Sequence, residues 1–350
     1  MTQAEIYMNR CIELARLGRG EVAPNPMVGA VVVHEGKIIG EGYHRQCGGP
    51  HAEVHAINAV KNKELLREST IYVSLEPCAH YGKTPPCSDL IIASGIPHVV
   101  VGSVDPFAKV AGKGIEKMLK AGIKVDVGVL NEACLELNKR FFTFHQKKRP
   151  FIYLKWAQTL DGYLDIDRSH PEFGQPTWIS NELSRRMVHK QRTEVDAILI
   201  GTNTAWKDNP SLTVREWSGR QPVRLVLDRM NRLPAAIHLK DQTCRTVVFT
   251  GKPVESSELT EYVVLDYARN IVPQILNWLY EQNLQSLVVE GGRQLLQAFI
   301  DQGMWDEAHL YIGHSWFGSG VAAPKLNALP VKSELLHDTQ LQVFVQSNQP

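Results

Sequence analysis

Residues 77–87 read Pro77-Cys78-Ala79-His80-Tyr81-Gly82-Lys83-Thr84-Pro85-Pro86-Cys87, and the triplet His51-Ala52-Glu53 ends 24 residues before Pro77. Two thiols and one imidazole form the three-ligand set of a catalytic zinc site, leaving a fourth position for water. His51, Cys78 and Cys87 are therefore the candidate zinc ligands. Positions i and i+2 of a regular helix do not face each other. His51 is thus expected at a non-helical start, with Glu53 inside the first turn, moving a proton and not binding metal. Pro85-Pro86-Cys87-Ser88-Asp89 opens a second helix, whose N-terminus favours a thiolate. A cysteine is often a plain packed residue, but the flanking His-x-Glu and Pro-Cys argue for metal. His51 and His55 could share one helical face as in zincins, but there Glu follows the first His directly, and here Ala52 intervenes. His55 is read as structural. Cys47, in the loop before His51, would close the site as a fourth ligand, and no motif supports it.

Working outward, Thr2 and Glu5 form a capping box that opens a helix ending near Gly18. The spacing predicts strands at 27–33, up to 43, 70–75, 99–102 and 123–129, with helices from about 52, over 88–93 and over 114–121. This alternation predicts an α/β sandwich with a largely parallel sheet. Gly112-Lys113-Gly114 is read as a loop. Gln146 to Pro150 is polar, basic and broken by proline, so it divides a domain of residues 1–146 from one of residues 150–350. The second half alternates again. Strand-like runs cover 151–156, 197–201, 223–228, 246–250, 262–266 and 286–290; helix-like runs cover 181–192, 271–282 and 293–302. Within it Glu290-Gly291-Gly292-Arg293 follows an apolar run. It is either a diphosphate cradle at a helix N-terminus or a plain strand-to-helix turn.

The 350 residues favour two domains, and 43% hydrophobic with 21% charged residues is ordinary globular composition. A net charge of +1 argues against a general nucleic-acid binder; the densest basic run, Lys147-Lys148-Arg149, reads as a solvated linker. Glu5, Arg10, Glu13 and Arg16 break any secretory core, and no stretch approaches the ~18 apolar residues of a membrane span. The six scattered cysteines are then expected as thiols in a reducing cytoplasm.

His-x-Glu followed by Pro-Cys is the pattern of zinc deaminases, but there the cysteines are three positions apart and here Cys78 and Cys87 are nine apart. The 77–87 stretch, with Ala23-Pro24-Asn25-Pro26-Met27-Val28-Gly29 and Gly49-Pro50-His51-Ala52-Glu53, closely resembles the bifunctional riboflavin-biosynthesis deaminase–reductase family. So do Lys155-Trp156-Ala157-Gln158-Thr159-Leu160-Asp161-Gly162, Trp178-Ile179-Ser180 and Asp208-Asn209-Pro210-Ser211-Leu212-Thr213-Val214-Arg215 in the second half. The resemblance implies a cytidine-deaminase-like α/β/α sandwich followed by a dihydrofolate-reductase-like α/β domain. It implies deamination of a diaminopyrimidinone carrying a ribosylamino 5′-phosphate, then reduction of that group to ribitylamino by NADPH. By motif position Ala157, Trp178, Thr204, Asp208, Gly292 and Arg293 would touch NADPH; Asn25, Arg192, Leu212, Arg215 and Glu290 would touch substrate. It further implies a homo-oligomer, dimeric through the reductase domain, acting on a free small molecule with neither nucleic acid nor membrane.

Three places depart from the family. Pro176 stands where a small hydroxyl residue is usual, and the segment Tyr163 to Pro176 is unusually long. Arg229 follows the strand aspartate Asp228 where a small hydroxyl residue is common; it either meets the adenosine 2′-phosphate or lies at the surface. Two other readings compete: a nucleic-acid-editing deaminase with an accessory domain, and a non-catalytic zinc-stabilised module. The first needs a basic channel, against the charge balance. The second has no use for a carboxylate beside its histidine.

Overall fold

The computed structural model describes residues 1–81, 85–106, 111–168 and 177–346. Gly82 to Thr84, Pro176 and most of the long segment before Thr177 lie outside the described residues. The chain divides into two compact units, Met1–Lys148 and Arg149–Pro350.

The first unit runs α1 (Gln3–Arg16), β1 (Gly29–His34), β2 (Lys37–Tyr43), α2 (Ala52–Ala59), β3 (Thr70–Leu75), α3 (Cys87–Ala93), β4 (His98–Ser103), α4 (Lys113–Lys120), β5 (Lys124–Val127), α5 (Asn131–Leu137) and α6 (Lys139–Lys147). The capping box at α1 is present in both directions: Glu5 N donates to Thr2 Oγ1 and Thr2 N to a Glu5 carboxylate oxygen. The sheet order is β2-β1-β3-β4-β5. Its parallel half, β3-β4-β5, adjoins an antiparallel half in which β1 pairs with both β2 and β3. The sheet is thus mixed, because a tight His34–Lys37 turn returns β1 directly into β2 and permits only antiparallel pairing. Gly112-Lys113-Gly114 is the start of α4 and not a loop, with Gly112 as N-cap. One apolar layer (Ala30, Val32, Ala52, Ala56, Ile71, Val73, Val99, Val101) packs under α2 to α4, and another (Met8, Cys11, Ala15, Val31, Val100, Cys134) under α1 and α5. The contact of α2 with β2 is close enough to forbid a side chain: a Cβ on Gly42 would fall 2.5 Å from Ala52 O and Ala56 N. That approach fixes the height of α2, and with it of His51 and Glu53, above the sheet.

The second unit comprises β6 (Phe151–Gln158), β7 (Tyr163–Asp165), α7 (Glu182–Glu194), β8 (Ala197–Ile200), α8 (Thr202–Asp208), β9 (Val223–Leu227), β10 (Thr246–Thr250), β11 (Thr260–Val264), α9 (Ile271–Glu281), β12 (Ser286–Gly291), α10 (Arg293–Asp301), β13 (Glu307–Ile312), β14 (Val321–Ala322), β15 (Lys332–Leu336) and β16 (Thr339–Val345). Its main sheet has the order β11-β10-β9-β8-β12-β6-β13-β16-β15. The seven strands from β11 to β13 are parallel, and β16 and β15 complete the sheet antiparallel. Burial on both faces explains the continuous apolar runs of β6, β8, β10 and β12. The carboxyl ends of β6, β8, β9 and β12 lie along one edge, where open α/β sheets bind ligands.

Candidate active sites

In the first unit His51 is the N-cap of α2, with extended backbone (φ −75°, ψ 169°), and Glu53 stands in the first helical turn. Cys78 follows β3, and Cys87 is the first residue of α3. These elements bring His51 Nδ1 within 3.6 Å of Cys78 Sγ and 3.3 Å of Cys87 Sγ, all three ligand atoms lying within 4.8 Å of one another. Zinc–sulfur and zinc–nitrogen bonds of tetrahedral geometry place S and N about 3.6 Å apart, so the donor set fits zinc. Among the described residues, Cys47 and His55 are not in this group. Cys87 N donates to Cys78 Sγ at 3.3 Å, as expected of a thiolate at a helix start. The hydrogen bond with Cys87, then that with His51, holds the Cys78 thiol down to about 4, whereas sharing that proton and burial push Cys87 up. Burial pushes the Glu53 carboxyl up to about 7 although His51 opposes it; Glu53 is only 3% exposed. A carboxyl poised there suits proton transfer near neutrality.

Two residues that the motifs did not reveal shape this site. The Glu76 carboxylate, buried two residues before Cys78, accepts four backbone N–H groups: Asp105 (3.3 Å) and Gly112 (2.9 Å) at one oxygen, Gly114 (2.9 Å) and Ile115 (3.3 Å) at the other. It thereby anchors the start of α4. Gly114 is required because a Cβ there would lie 2.0 Å from Pro77 O. His44, also buried, donates from Nδ1 to Pro50 O (3.0 Å), which leaves Nε2 to accept from Asn25 Nδ2 (3.1 Å). Its ring meets that of His51 edge-on at 5.3 Å, so Asn25 is linked through His44 to His51.

In the second unit Arg192 on α7 and Glu290 on β12 form a buried pair, with Nη2 to Oε2 at 2.9 Å and Nε to Oε1 at 3.4 Å. Burial pushes the Glu290 carboxyl up, but Arg192 and then Lys155 outweigh it and the net shift is down. Lys155 on β6, for which no role was read from sequence, is itself lowered by burial, which Glu290 partly offsets. Its Nζ lies 5.6 Å from the centre of the Tyr311 ring. Thr204 and Gly292 are joined directly, Gly292 N donating to Thr204 Oγ1 at 2.9 Å. Gly292 caps α10 with φ +37°, and Arg293 is its first, exposed residue. Asp208, at the end of α8, pairs with Arg168 at 3.3 Å. Arg168 also binds Asp165 and Thr177, so both described ends of the long segment are tied to Asp208. Ala157 lies on β6, packed against the cluster of Val188 and Tyr311. Trp178 is exposed, with the Arg185 guanidinium 4.7 Å above its ring. Leu212 is buried with φ +53°, and Arg215 is exposed. Arg229 follows β9 with its guanidinium 5.5 Å over the Tyr267 ring.

Comparison with known proteins matches the described geometry to a family. Residues 1–103 match the cytidine and deoxycytidylate deaminase zinc-binding region, and residues 150–345 the RibD C-terminal domain. The riboflavin biosynthesis protein RibD of Aquifex aeolicus is 42% identical over 334 residues, covering 94% of this chain and 92% of that one. That of Escherichia coli is 36% identical over 340 residues, covering 91% and 89%. A solved structure from Thermotoga maritima, a diaminohydroxyphosphoribosylaminopyrimidine deaminase/5-amino-6-(5-phosphoribosylamino)uracil reductase, is 40% identical with a TM-score of 0.88 over 98% of both chains. Acinetobacter baumannii RibD is 30% identical with a TM-score of 0.87, again over 98% of both. With a zinc-type ligand set in one unit and a reductase fold in the other, the chain belongs to the bifunctional deaminase–reductase family of riboflavin biosynthesis.

Proposed function

We propose that the first unit hydrolytically deaminates 2,5-diamino-6-ribosylamino-4(3H)-pyrimidinone 5′-phosphate and that the second reduces the ribosyl group of the product to ribityl with NADPH. The observation that carries this is the cluster of His51, Cys78 and Cys87 beside the buried carboxyl of Glu53. His51, Cys78 and Cys87 would hold the metal, and zinc there supplies an activated water. Glu53 would pass one proton of the attacking water to a ring nitrogen, and then the second, from the hydroxyl left on the carbon, to the amine, which departs as ammonia while the carbonyl forms. Asn25, held by His44, would meet the pyrimidine. In the second unit Thr204, Asp208 and the Gly292–Arg293 turn would seat NADPH, with Ala157 and Trp178 beside it. NADPH supplies the hydride. Leu212, Arg215, Arg192 and Glu290 would seat the substrate, and the exposed guanidinium of Arg215 suits its phosphate, which a planar fork binds bidentately.

The substrate is a free small molecule, supported by the net charge of +1. The six cysteines are free thiols, which supports a cytoplasmic setting, and no helix among the described residues is long and apolar enough to cross a membrane. Pairing of two chains through the second unit is supported by exposed Leu335 on its edge strand β15 and exposed Val331 just before it. Zinc content, ammonia release from the diaminopyrimidine and subsequent NADPH oxidation test the reading in one preparation. Ammonia release by zinc-free protein, or no NADPH oxidation after deamination, would overturn it, and sedimentation gives the oligomeric state.

A further inference from the structure

Ser211 to Arg215 runs through neither helix nor strand, so its backbone polar groups need partners elsewhere. Four side chains supply them. Arg224 Nη1 donates to Ser211 O at 3.3 Å, and Arg192 Nη1 to Thr213 O at 3.2 Å. Gln221 grips Val214 twice, accepting from its N–H at 2.7 Å and donating to its carbonyl at 3.2 Å. His189 Nδ1 accepts from Arg215 N at 3.1 Å. Leu212, inside this frame, holds a left-handed backbone. Leucine avoids that region, and it persists only where the surroundings over-determine it. Arg224, 1% exposed, fixes the far side through Thr246, His238, Asp241 and Cys244.

Three residues apart on α7, His189 and Arg192 share one helical face. A single turn of α7 therefore holds Thr213 and Arg215 together. Because Nδ1 accepts, the network assigns the ring proton to Nε2, which faces Glu216 at 3.9 Å. The neutral ring adds an acceptor without adding charge. The Arg215 guanidinium, by contrast, makes no hydrogen bond or ion pair among the described residues.

We propose that His189 is a positioning residue for the reduction: through the main-chain N–H of Arg215 it sets where that guanidinium meets the substrate's phosphate, with Gln221 as its second support. This rests on the assignment of Arg215 to the phosphate. A displacement of ~1 Å at such a contact is enough to cost ~10²-fold in rate.

The test uses the full-length protein, with the deaminated ribosylamino substrate made by the wild-type enzyme and NADPH oxidation as readout. His189→Leu keeps the bulk and removes the acceptor. It is expected to raise the KM for that substrate about tenfold, leaving the KM for NADPH and ammonia release unchanged. His189→Asn, whose Oδ1 can occupy the place of Nδ1, should restore most of the loss, which a merely space-filling role would not allow. Gln221→Leu should act in the same direction as His189→Leu, and it carries the test if His189→Leu does not fold. Wild-type KM in folded His189→Leu and Gln221→Leu would overturn the proposal, as would His189→Asn as impaired as His189→Leu. Arg215→Ala separates the two levels. If it leaves the substrate KM unchanged, the phosphate assignment falls and the proposal with it. If it raises KM and His189→Leu does not, the positioning role alone is wrong.

Discussion

Arg192 and Glu290 are each other's partner, 2.9 Å apart and both nearly buried. Residues that family position assigns jointly to substrate are therefore also one structural ion pair, whereas Arg215 is exposed and structurally uncommitted. Removing one member of a buried pair strands the other charge, at a cost of roughly 3–5 kcal/mol. Arg192→Ala should therefore lower the stability of the second unit by that order, and Arg215→Ala hardly at all. Arg215→Ala should still raise the reductase substrate KM about tenfold to a hundredfold, a charge-assisted phosphate bond contributing roughly 1.5–3 kcal/mol. Urea unfolding beside steady-state kinetics checks both; equal stability losses would refute the distinction.

Glu53→Gln keeps shape and hydrogen bonding but cannot carry a proton. Deamination should fall roughly 10²–10⁴-fold, with zinc content and reductase activity unchanged. Loss of zinc from this variant would place Glu53 among the ligands instead.

Glu76→Gln turns an NH₂ group toward backbone donors that now point at a carboxylate oxygen. Residues behind metal ligands typically tune affinity about 10–100-fold, and zinc binding measured by chelator competition should weaken by that order. An unchanged affinity would mean that the anchored α4 does not shape the Cys78 loop.

His189 is held neutral first by burial and then by Arg192, so that in the folded chain it takes a proton only near pH 4. Free imidazole takes it near 6.5. Between those values the unfolded chain binds a proton that the folded one does not, so stability falls as pH drops from 6.5 toward 4. Above 6.5 the group contributes nothing. The full effect is ~3 kcal/mol. All seven tryptophans, Trp156 to Trp316, lie in the second unit, so their emission follows that unit alone. Urea midpoints across this range should decline more steeply for wild type than for His189→Asn, and superimposable profiles would exclude His189 as the titrating group.

Arg149 donates from both terminal nitrogens to Asp306, at 2.6 and 2.8 Å. A reductase fragment beginning at Arg149 should thus be more stable than one beginning at Phe151 by roughly 1.5–3 kcal/mol. Equal thermal midpoints would show the bridge to be silent.

The α1 capping box, the paired alternations and the clustering of His51, Cys78 and Cys87 are legible because each is a local pattern or a short spacing. β13 is less so: Ala308, Leu310 and Ile312 alternate with Glu307 and His309, but Glu307 is itself buried, so its polar positions do not mark a solvent face. β15 is almost wholly exposed, and its two leucines, Leu335 and Leu336, are adjacent and do not alternate. β16, with Leu341, Val343 and Val345 alternating, does carry a period of two, although it lies outside the predicted strands. α5 and α6 lie outside the predicted elements, although Cys134, Leu137, Phe141 and Phe144 are buried along them. The supporting residues were hidden for another reason. Glu76 finds Gly114 38 positions away, and His189 finds Arg215 26 positions away; such pairings exist only once the sheet has folded.

The Glu76 anchor also sets an order of assembly. All four of its N–H donors, Asp105 to Ile115, come later in the chain than every zinc ligand. A growing polypeptide that has emerged only as far as Ser103 would expose His51, Cys78 and Cys87 while the strand end that carries Cys78 still lacks its brace. If zinc is held by those three residues, durable capture during translation is then expected to follow the emergence of the next dozen residues, with the completion of α4 and not with the appearance of the ligands themselves.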